Sequence, residues 1–105
     1  MPSIKYRVEY SRHLDLKRIA RIPKRETDRI ERAIERKLTS QPSIFGKPLR
    51  GSLKECWTLR VGDYRIVYRI VKQTVHILAI DHRSVVYENL EKKLIELGWD
   101  VRLSP

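Results

Sequence analysis

Alternating apolar and polar residues predict β-strands near the start of the chain and through its second half. Residues 4–10 (IKYRVEY) place every second, apolar side chain on one face, which is typical of a half-buried strand. Three further runs, at residues 54–61, 64–71 and 74–82, alternate or are almost continuously apolar. Two residues separate each of these three runs from the next, as in antiparallel hairpins. The pattern therefore predicts a four-stranded antiparallel sheet.

Apolar residues at helical spacing predict three helices. Ser11 is a residue type that caps helix N-termini, and Pro23 is expected to end the short helix that follows it and to open the next one. That second helix carries one apolar stripe as far as Leu38. A final helix is predicted from about Val86, and Gly98 is expected to end it.

The order of these elements predicts the fold class. Residues 39–52 are rich in proline and glycine and are predicted to be a loop. The chain then reads β-α-α-β-β-β-α, an α+β fold with an N-terminal helical hairpin on one face of the sheet and a C-terminal helix. Residues 1–105 are expected to form one domain, with 99–105 as a short C-terminal tail.

The dipeptide Gly62-Asp63 predicts the register of the central hairpin. Glycine at the first central position suits a two-residue type II′ turn, which places Arg60 opposite Arg65 on one face. Like charges directly opposite each other destabilise a sheet. A local rule broken inside an otherwise consistent pattern is typical of a functional site, and a bound polyanion would relieve the repulsion.

The same register divides the strand side chains between two faces. The core-facing set is predicted to be Trp57, Leu59, Val61, Ile66, Tyr68, Ile70, Ile77 and Ala79. The opposite face carries Thr58, Arg60, Arg65, Val67 and Arg69. If Lys72-Gln73 forms a second two-residue turn, this face also receives His76, Leu78, Ile80 and His82. Arg60, Arg65 and His82 are then expected at one end of the sheet, followed by Arg83 and Tyr87.

Net charge indicates an acidic partner. The chain has 23 Lys+Arg and 13 Asp+Glu, a net charge of +10. Residues 1–50 hold 14 basic and 6 acidic side chains (+8), whereas residues 51–105 hold 9 and 7 (+2). On the second helix, Arg25, Arg29 and Arg32 share the face away from the apolar stripe. Such an excess favours nucleic-acid phosphates or an acidic protein, and a merely solvated basic face is the alternative.

The residue types at the end of the sheet suit phosphodiester cleavage without a metal. Guanidinium groups clamp phosphate with a fixed geometry, an aromatic ring stacks on an unpaired base, and a histidine moves protons near neutral pH. A ribose 2′-hydroxyl would attack the adjacent phosphorus while arginines neutralise the developing charge and a base accepts the proton.

Structural interpretations of the same residues stay open. Arg60 suits a solvated sheet face, His82 a polar strand end, and Tyr87 an aromatic cover for the core. Asp81 is expected to orient a neighbour or to pair with an arginine rather than to act in catalysis. Cys56, the single cysteine, is predicted to be a half-buried structural thiol.

No cofactor, metal or membrane is expected to take part. The three histidines and single cysteine have no metal-binding spacing, and no glycine-rich nucleotide motif is present in the sequence. No segment resembles a signal peptide, and no apolar window is long enough to span a bilayer. A cytoplasmic protein is therefore predicted.

The segment KPLRGSLKECWTLRVGDYRIVYRIVKQTVHILAIDHRSVVY, residues 47–87, resembles the RelE/ParE superfamily of bacterial and archaeal type II toxins. The pieces that carry the resemblance are L-R-V-G-D-Y-R-I-V-Y and H-R-x-x-V-Y. By motif match, the resemblance implies catalytic roles for Arg65, Arg83 and Tyr87, and a histidine near His82 is the base in several relatives. In well-studied RelE toxins the strand before the turn carries lysines, where this chain has Cys56 and Thr58.

The resemblance implies two functions. RelE-like members are endoribonucleases that cut mRNA, typically on the ribosome, and an antitoxin silences them. This branch is predicted for the chain, with Arg60, Arg25, Arg29 and Arg32 as RNA-binding residues. The toxin alone is expected to be a monomer that forms a hetero-oligomer with its antitoxin. A ParE-like, non-catalytic inhibitor of DNA gyrase is the alternative, and a degenerate nucleic-acid-binding module is a third hypothesis.

Overall fold

The computed structural model describes residues 5–98, which form a mixed sheet between two helical layers. The strands are β1 (Arg7–Tyr10), β2 (Lys47–Pro48), β3 (Trp57–Val61), β4 (Tyr64–Val71) and β5 (Thr74–His82). The helices are α1 (Leu16–Ala20), α2 (Lys24–Ala33), α3 (Pro42–Phe45) and α4 (Val86–Glu96). A π-helical turn (Ile34–Leu38) extends α2, and a 3-10 turn (Gly51–Leu53) precedes β3.

The sheet has five strands in the order β1-β5-β4-β3-β2, so the prediction of a four-stranded antiparallel sheet is wrong in two respects. The segment 39–52 contributes α3 and the short β2, whose Lys47 and Pro48 pair with Thr58 and Trp57. Two residues are too few to show an alternating pattern. In addition, β1 pairs with β5 in parallel. The direction of that pairing depends on the path of the helices between the two strands, which no local pattern encodes.

A β-bulge in β5 changes which residues share a face. Val71 pairs with Thr74 across a two-residue turn, as predicted, with Lys72 at φ 56°. The pairing then shifts between Val67 and Tyr68, so that Leu78 has no partner of its own. Because side chains alternate along a strand, one extra residue reverses the faces of everything beyond it.

The predicted positions of Ala79, Ile80 and His82 are therefore wrong. Ala79 packs with the α4 helix rather than in the main core, whereas Ile80 packs against the main core. His82 lies opposite Tyr64, and Asp81 lies opposite Arg65, where the predicted regular register would place Ile80. The sequence pattern did not reveal the bulge because the run VHILAI is apolar at almost every position.

Two apolar clusters hold the layers together. The main core joins α2 and the π-helical turn to one face of the sheet and contains Ile30, Ile34, Leu38, Leu59, Val61, Ile66, Tyr68, Val75 and Ile77. The second cluster joins α4 to the opposite face and contains Leu53, Cys56, Val67, Val86, Leu90 and Leu94. Burial of each large apolar side chain stabilises the fold by roughly 1.5–3 kcal/mol relative to exposure.

The main core includes one polar contact that anchors α3. The Tyr68 ring is fully buried and its hydroxyl donates to the carbonyl of Pro42, 2.6 Å away. Gly46 lies against this ring, where a Cβ would come within 1.8 Å of the hydroxyl oxygen. Glycine is required here for space rather than for its backbone angles, since its φ is −90°.

Candidate nucleic-acid interface

The β3–β4 turn is the centre of a basic cluster. Val61 pairs with Tyr64 and Arg60 with Arg65, which confirms the register predicted from Gly62-Asp63. Gly62 has φ 60°, and Asp63 is not among the positive-φ residues of the described chain, so the turn has the single positive φ of a type II′ hairpin. The two arginines therefore meet on one face at the end of the sheet.

Arg65 is buried, with 8% of its surface exposed. Its Nη1 donates to the carbonyls of Gly62 and Tyr64, both 2.9 Å away. Carbonyl oxygens carry partial negative charge, so these contacts help the sheet to tolerate the cationic pair. A guanidinium has five N–H donors. The contacts hold its orientation and leave the Nη2 and Nε protons for other partners.

Arg83 joins the entry of α4 to the same turn. Its backbone N–H donates to the Asp63 carbonyl at 2.8 Å, and its Nε lies 3.7 Å from the Asp63 carboxylate. Its side chain is 61% exposed, so this ion pair is weak and open to competition from another anion. Arg83 is thus held beside the turn by its backbone while its guanidinium remains accessible.

A fourth arginine approaches from the other layer. Arg29 on α2 has Nη1 3.3 Å from the Glu26 carboxylate, and a Cβ built on Gly62 would lie 3.1 Å from the same nitrogen. We call Arg29, Arg60, Arg65 and Arg83 the arginine ring, since they come from α2, β3, β4 and the start of α4 to one turn. Arg25 and Arg32 are exposed on α2 and extend the basic surface away from the ring.

Tyr87 lies in the first turn of α4, against the face that carries Arg60 and Arg65. Its hydroxyl is 3.1 Å from the hydroxyl of Thr58, and its ring packs against the second apolar cluster. Thr58 precedes Arg60 by two residues, which corresponds to about 7 Å along a strand. The Tyr87 hydroxyl therefore lies on the same face as the arginine pair, one step further into the sheet.

His82 points to the opposite face. Its ring meets the Tyr64 ring edge-on, with centroids 5.6 Å apart. Its Nδ1 lies 2.8 Å from the Ser84 hydroxyl and 3.1 Å from the Ser84 backbone nitrogen. Because a backbone N–H can only donate, Nδ1 is an acceptor, and the neutral ring carries its proton on Nε2. The structure therefore does not bring His82 together with Arg65.

Asp81 links β5, which carries it, to α1 and α4. Arg18 of α1 binds its carboxylate through two hydrogen bonds of 2.7 and 3.1 Å. The His82 backbone N–H at 2.8 Å and the Asn89 side-chain amide at 3.3 Å also donate to it. Burial alone would raise the pKa of Asp81, but these hydrogen bonds outweigh it and lower the pKa below its ordinary value.

The pairing of Asp81 with an arginine confirms the sequence prediction, although the partner was not predictable. Arg18 is 63 residues away in sequence. Asn89 follows Asp81 by eight residues, across the turn into α4, and carries no motif of its own. The sequence gives no indication of this network, because its residues come together only when the helical layers pack on the sheet.

Other site types find no support in the described residues. Burial raises the pKa of the Cys56 thiol to about 11, so this residue is a structural thiol rather than a nucleophile. It is fully rather than half buried, at 3% exposure. Within residues 5–98, no three His, Cys, Asp or Glu side chains are grouped to hold a metal ion. No helix in this range is long and apolar enough to cross a membrane.

Similar proteins point to toxins of toxin–antitoxin systems. Residues 13–87 match the family model for the ParE toxin of the type II toxin–antitoxin system parDE. The curated relative Toxin RelG of Mycobacterium tuberculosis is 44% identical over 52 residues, which are 48% of this chain and 60% of RelG. The chain thus matches less than two thirds of the length of that relative.

Two solved structures share the fold. The toxin–antitoxin complex RelBE2 from Mycobacterium tuberculosis contains a chain that is 32% identical, with a TM-score of 0.69, over 76% of this chain and 100% of that one. A YafQ variant from E. coli is 16% identical, with a TM-score of 0.54, over 77% of this chain and 97% of that one. At this lower identity the second likeness concerns the fold alone.

Proposed function

The chain belongs to the ParE toxin family of type II toxin–antitoxin systems, within the RelE/ParE superfamily, and from this premise we propose that it is a metal-independent endoribonuclease that cleaves mRNA on the ribosome. The observation that carries the proposal is the arginine ring around Gly62-Asp63, with Tyr87 on the same face as Arg60 and Arg65. A site for negative charge beside a hydroxyl is the minimum that metal-free phosphodiester cleavage requires.

In the proposed reaction, the ribose 2′-oxygen loses its proton to a general base and attacks the adjacent phosphorus. The bond to the 5′-oxygen of the next nucleotide breaks, and that oxygen takes a proton from solvent. The phosphorane-like transition state gains negative charge on its non-bridging oxygens. Arg65 is held by the turn carbonyls, so its remaining N–H groups act as a preorganised donor to that charge. The exposed Arg83 exchanges its weak contact with Asp63 for the scissile or the adjacent phosphate.

Tyr87 is the general base in this proposal, because the geometry favours it over His82. The Tyr87 hydroxyl lies on the face of the arginine pair, whereas His82 lies on the other face with Nδ1 engaged by Ser84. We therefore expect Tyr87→Phe to slow cleavage far more than His82→Gln. If His82 is the base instead, His82→Gln shows the larger loss.

Single-turnover cleavage of mRNA on programmed ribosomes tests the proposal. We expect a new RNA end at one site, carrying a 2′,3′-cyclic phosphate and leaving a 5′-hydroxyl on the downstream fragment. A single 2′-deoxynucleotide at the scissile position should abolish cleavage, because it removes the attacking oxygen. Intact mRNA after incubation with folded protein and translating ribosomes would overturn the nuclease assignment.

Inhibition of DNA gyrase is the second candidate function. It is favoured by the match to the ParE toxin model and by Cys56 and Thr58, which stand where RelE toxins have catalytic lysines. A supercoiling assay with purified gyrase, run beside the ribosome assay, separates the two. Loss of supercoiling with no mRNA cleavage would favour the ParE-like function.

We also propose an antitoxin as the partner that silences this toxin. Support comes from the RelBE2 structure, which is a toxin–antitoxin complex, and from the net charge of +10. Expression of the chain alone should arrest growth, and co-expression of the antitoxin should restore it. Normal growth despite abundant folded protein would contradict this proposal.

A further inference from the structure

A cavity of about 170 Å³ lies on the other side of the β3–β4 hairpin from the Arg60–Arg65 pair. It is lined by Arg18, Arg21, Ile22, Tyr64, Asp81 and His82. Tyr64 immediately precedes Arg65 and His82 immediately precedes Arg83, and successive strand residues are about 3.4 Å apart and point to opposite faces. Tyr64 and His82 therefore face the cavity on one side of the sheet end, and the Arg60–Arg65 pair lies on the other side.

The side chains of the cavity belong to chemical types that bind nucleotides. Tyr64 and His82 present two aromatic rings, 5.6 Å apart and at 85° to each other. Since His82 accepts from Ser84 at Nδ1, its Nε2 is a hydrogen-bond donor in the neutral ring. Arg18 is engaged by Asp81, but within residues 5–98 no carboxylate pairs with the exposed Arg21. Aromatic faces bind unstacked bases, and a guanidinium binds their phosphates.

We propose that this cavity receives the base of an RNA nucleotide that neighbours the scissile phosphate, with Arg21 on that nucleotide's own phosphate. The proposal rests on RNA as the substrate of the arginine ring, and it assigns the opposite face of the sheet end to substrate positioning. It also gives His82 a role that its position allows. In this role His82 recognises a nucleobase and does not accept the proton of the reaction.

The bulge at Leu78 is what creates the cavity. If β5 paired with β4 without the bulge, His82 would lie on the same face as Arg65. The cavity would then lack the side chain that lines it opposite Tyr64. Bulges commonly re-aim a side chain next to a functional site. Here the extra residue turns His82 toward Tyr64 and at the same time turns Asp81 toward Arg18 and Asn89.

Histidine NMR signals test the cavity directly, because the chain has three histidines and only His82 lines it. The probes are AMP and UMP, with ribose 5-phosphate and inorganic phosphate as controls. We expect a saturable shift of the His82 imidazole signal with at least one nucleotide, while His13 and His76 stay unchanged. The two controls should produce no such shift, because they have no base to stack.

Matched variants assign the contact to individual residues. Arg21→Gln should weaken nucleotide binding by about tenfold, as expected for the loss of one charge-assisted contact. Arg36→Gln removes the same charge from an exposed residue outside the cavity and should have no effect. Tyr64→Phe should retain binding and Tyr64→Leu should lose it. Because Tyr64 packs against the main core, thermal melts are needed to show that both Tyr64 variants are folded.

Three outcomes of the binding experiments would overturn the proposal. The first is an equal shift of the signals of all three histidines, and the second is a His82 shift that inorganic phosphate alone reproduces. The third is displacement of the bound nucleotide by a hexaglutamate peptide but not by RNA. The last would mean that the cavity binds an acidic protein segment.

Failure of the nuclease proposal would give a different result. In that case mRNA on programmed ribosomes stays intact although the nucleotide shifts His82. Unchanged KM for cleavage by folded Arg21→Gln and Tyr64→Leu would reject the cavity and keep the nuclease.

Discussion

The two faces of the sheet are covered in different ways. On the α2 face the main core runs the length of the central strands, and Ile66, Tyr68, Val75 and Ile77 have no exposed surface. On the α4 face the apolar cluster covers Val67 and Cys56 and then gives way to polar side chains. In the part of the chain that the structure describes, the two buried polar residues, Thr58 and Arg65, both lie on this second face.

This difference separates stability from the proposed chemistry. A charged or polar group is tolerated in a buried position only where hydrogen bonds compensate its lost hydration. Arg65 meets that condition through the turn carbonyls, and Thr58 meets it through Tyr87. The α2 face therefore carries the main core, while the α4 face supports preorganised polar groups. Substitutions on the two faces are expected to affect different measurements.

The largest expected effect is on catalysis, from Arg65→Ala on the α4 face. A preorganised donor to the transition state is typically worth about 2.7–4 kcal/mol, so single-turnover cleavage should slow by 10²–10³. Arg65→Lys should restore only part of the rate, because an ammonium retains the charge but loses the paired N–H donors of the planar guanidinium.

Arg65→Ala also changes the expectation for stability. Like-charge repulsion from Arg60, about 0.2–1 kcal/mol, is relieved, but two hydrogen bonds from a charged donor are lost, each worth about 1.5–3 kcal/mol. A lower melting temperature is therefore expected, although the sequence alone favours a neutral or stabilising change. Arg60→Ala is the matched control, since it removes the repulsion and keeps the carbonyl contacts. Wild-type cleavage by folded Arg65→Ala would reject the site.

The second prediction concerns the α2 face, where Gly46→Ala should destabilise the fold without touching the arginine ring. The added Cβ would lie 1.8 Å from the Tyr68 hydroxyl oxygen, so the ring or α3 must move. Overpacking of this kind costs about 1–3 kcal/mol and sometimes more, which chemical denaturation measures.

A double-mutant cycle with Tyr68→Phe checks the cause of that loss. Without the hydroxyl, the nearest obstacle to the Cβ is the ring carbon at 2.9 Å, so Gly46→Ala should cost less in this background. Strictly additive effects of the two substitutions would mean that the clash is not with Tyr68.

The third prediction is a pH dependence that ties the two faces together through Asp81. Its pKa is lowered in the folded protein, so the carboxylate stabilises the fold above its unfolded pKa of about 3.9 and loses this contribution as the pH falls through the lower folded value. Asp81→Asn should melt several degrees below wild type at pH 7. The gap should stay constant down to about pH 5 and narrow below pH 4. An equal gap at pH 7 and pH 2 would exclude the carboxylate charge as its cause.

The smallest expected effect is on the salt dependence of RNA binding. Replacing Arg25, Arg29 and Arg32 with Gln should reduce the slope of log K against log salt by at most about 2 for single-stranded RNA. The change should be below this limit, because Arg29 already pairs with Glu26. A control with Gln at the exposed Lys5, Lys47 and Lys54 removes equal charge elsewhere. The same slope in both triple variants would mean that α2 is only a solvated face.

Local sequence patterns were sufficient to predict most of the secondary structure and the arginine pair of the candidate site. Gly62-Asp63 led to the correct hairpin and the correct Arg60–Arg65 pair, because turn chemistry and strand alternation act over a few residues. The apolar stripe of α2 and the helix after Val86 were recognisable for the same reason. The predicted strand start at Ile4 and the tail 99–105 lie outside the described residues.

Only the tertiary structure decided the rest. The pairing of β1 with β5, the addition of β2 and the bulge at Leu78 depend on segments that are distant in sequence. The bulge alone moved His82 to the far face and brought Asp81 to Arg18, because a strand with a single unpaired residue reverses every side chain beyond it. The amino-acid sequence by itself determined the longer helices and strands, the Gly62-Asp63 turn and the charge of this protein. Beyond the β3–β4 hairpin, packing decided which polar residues face each other, since a continuously apolar strand carries no signal for its own register.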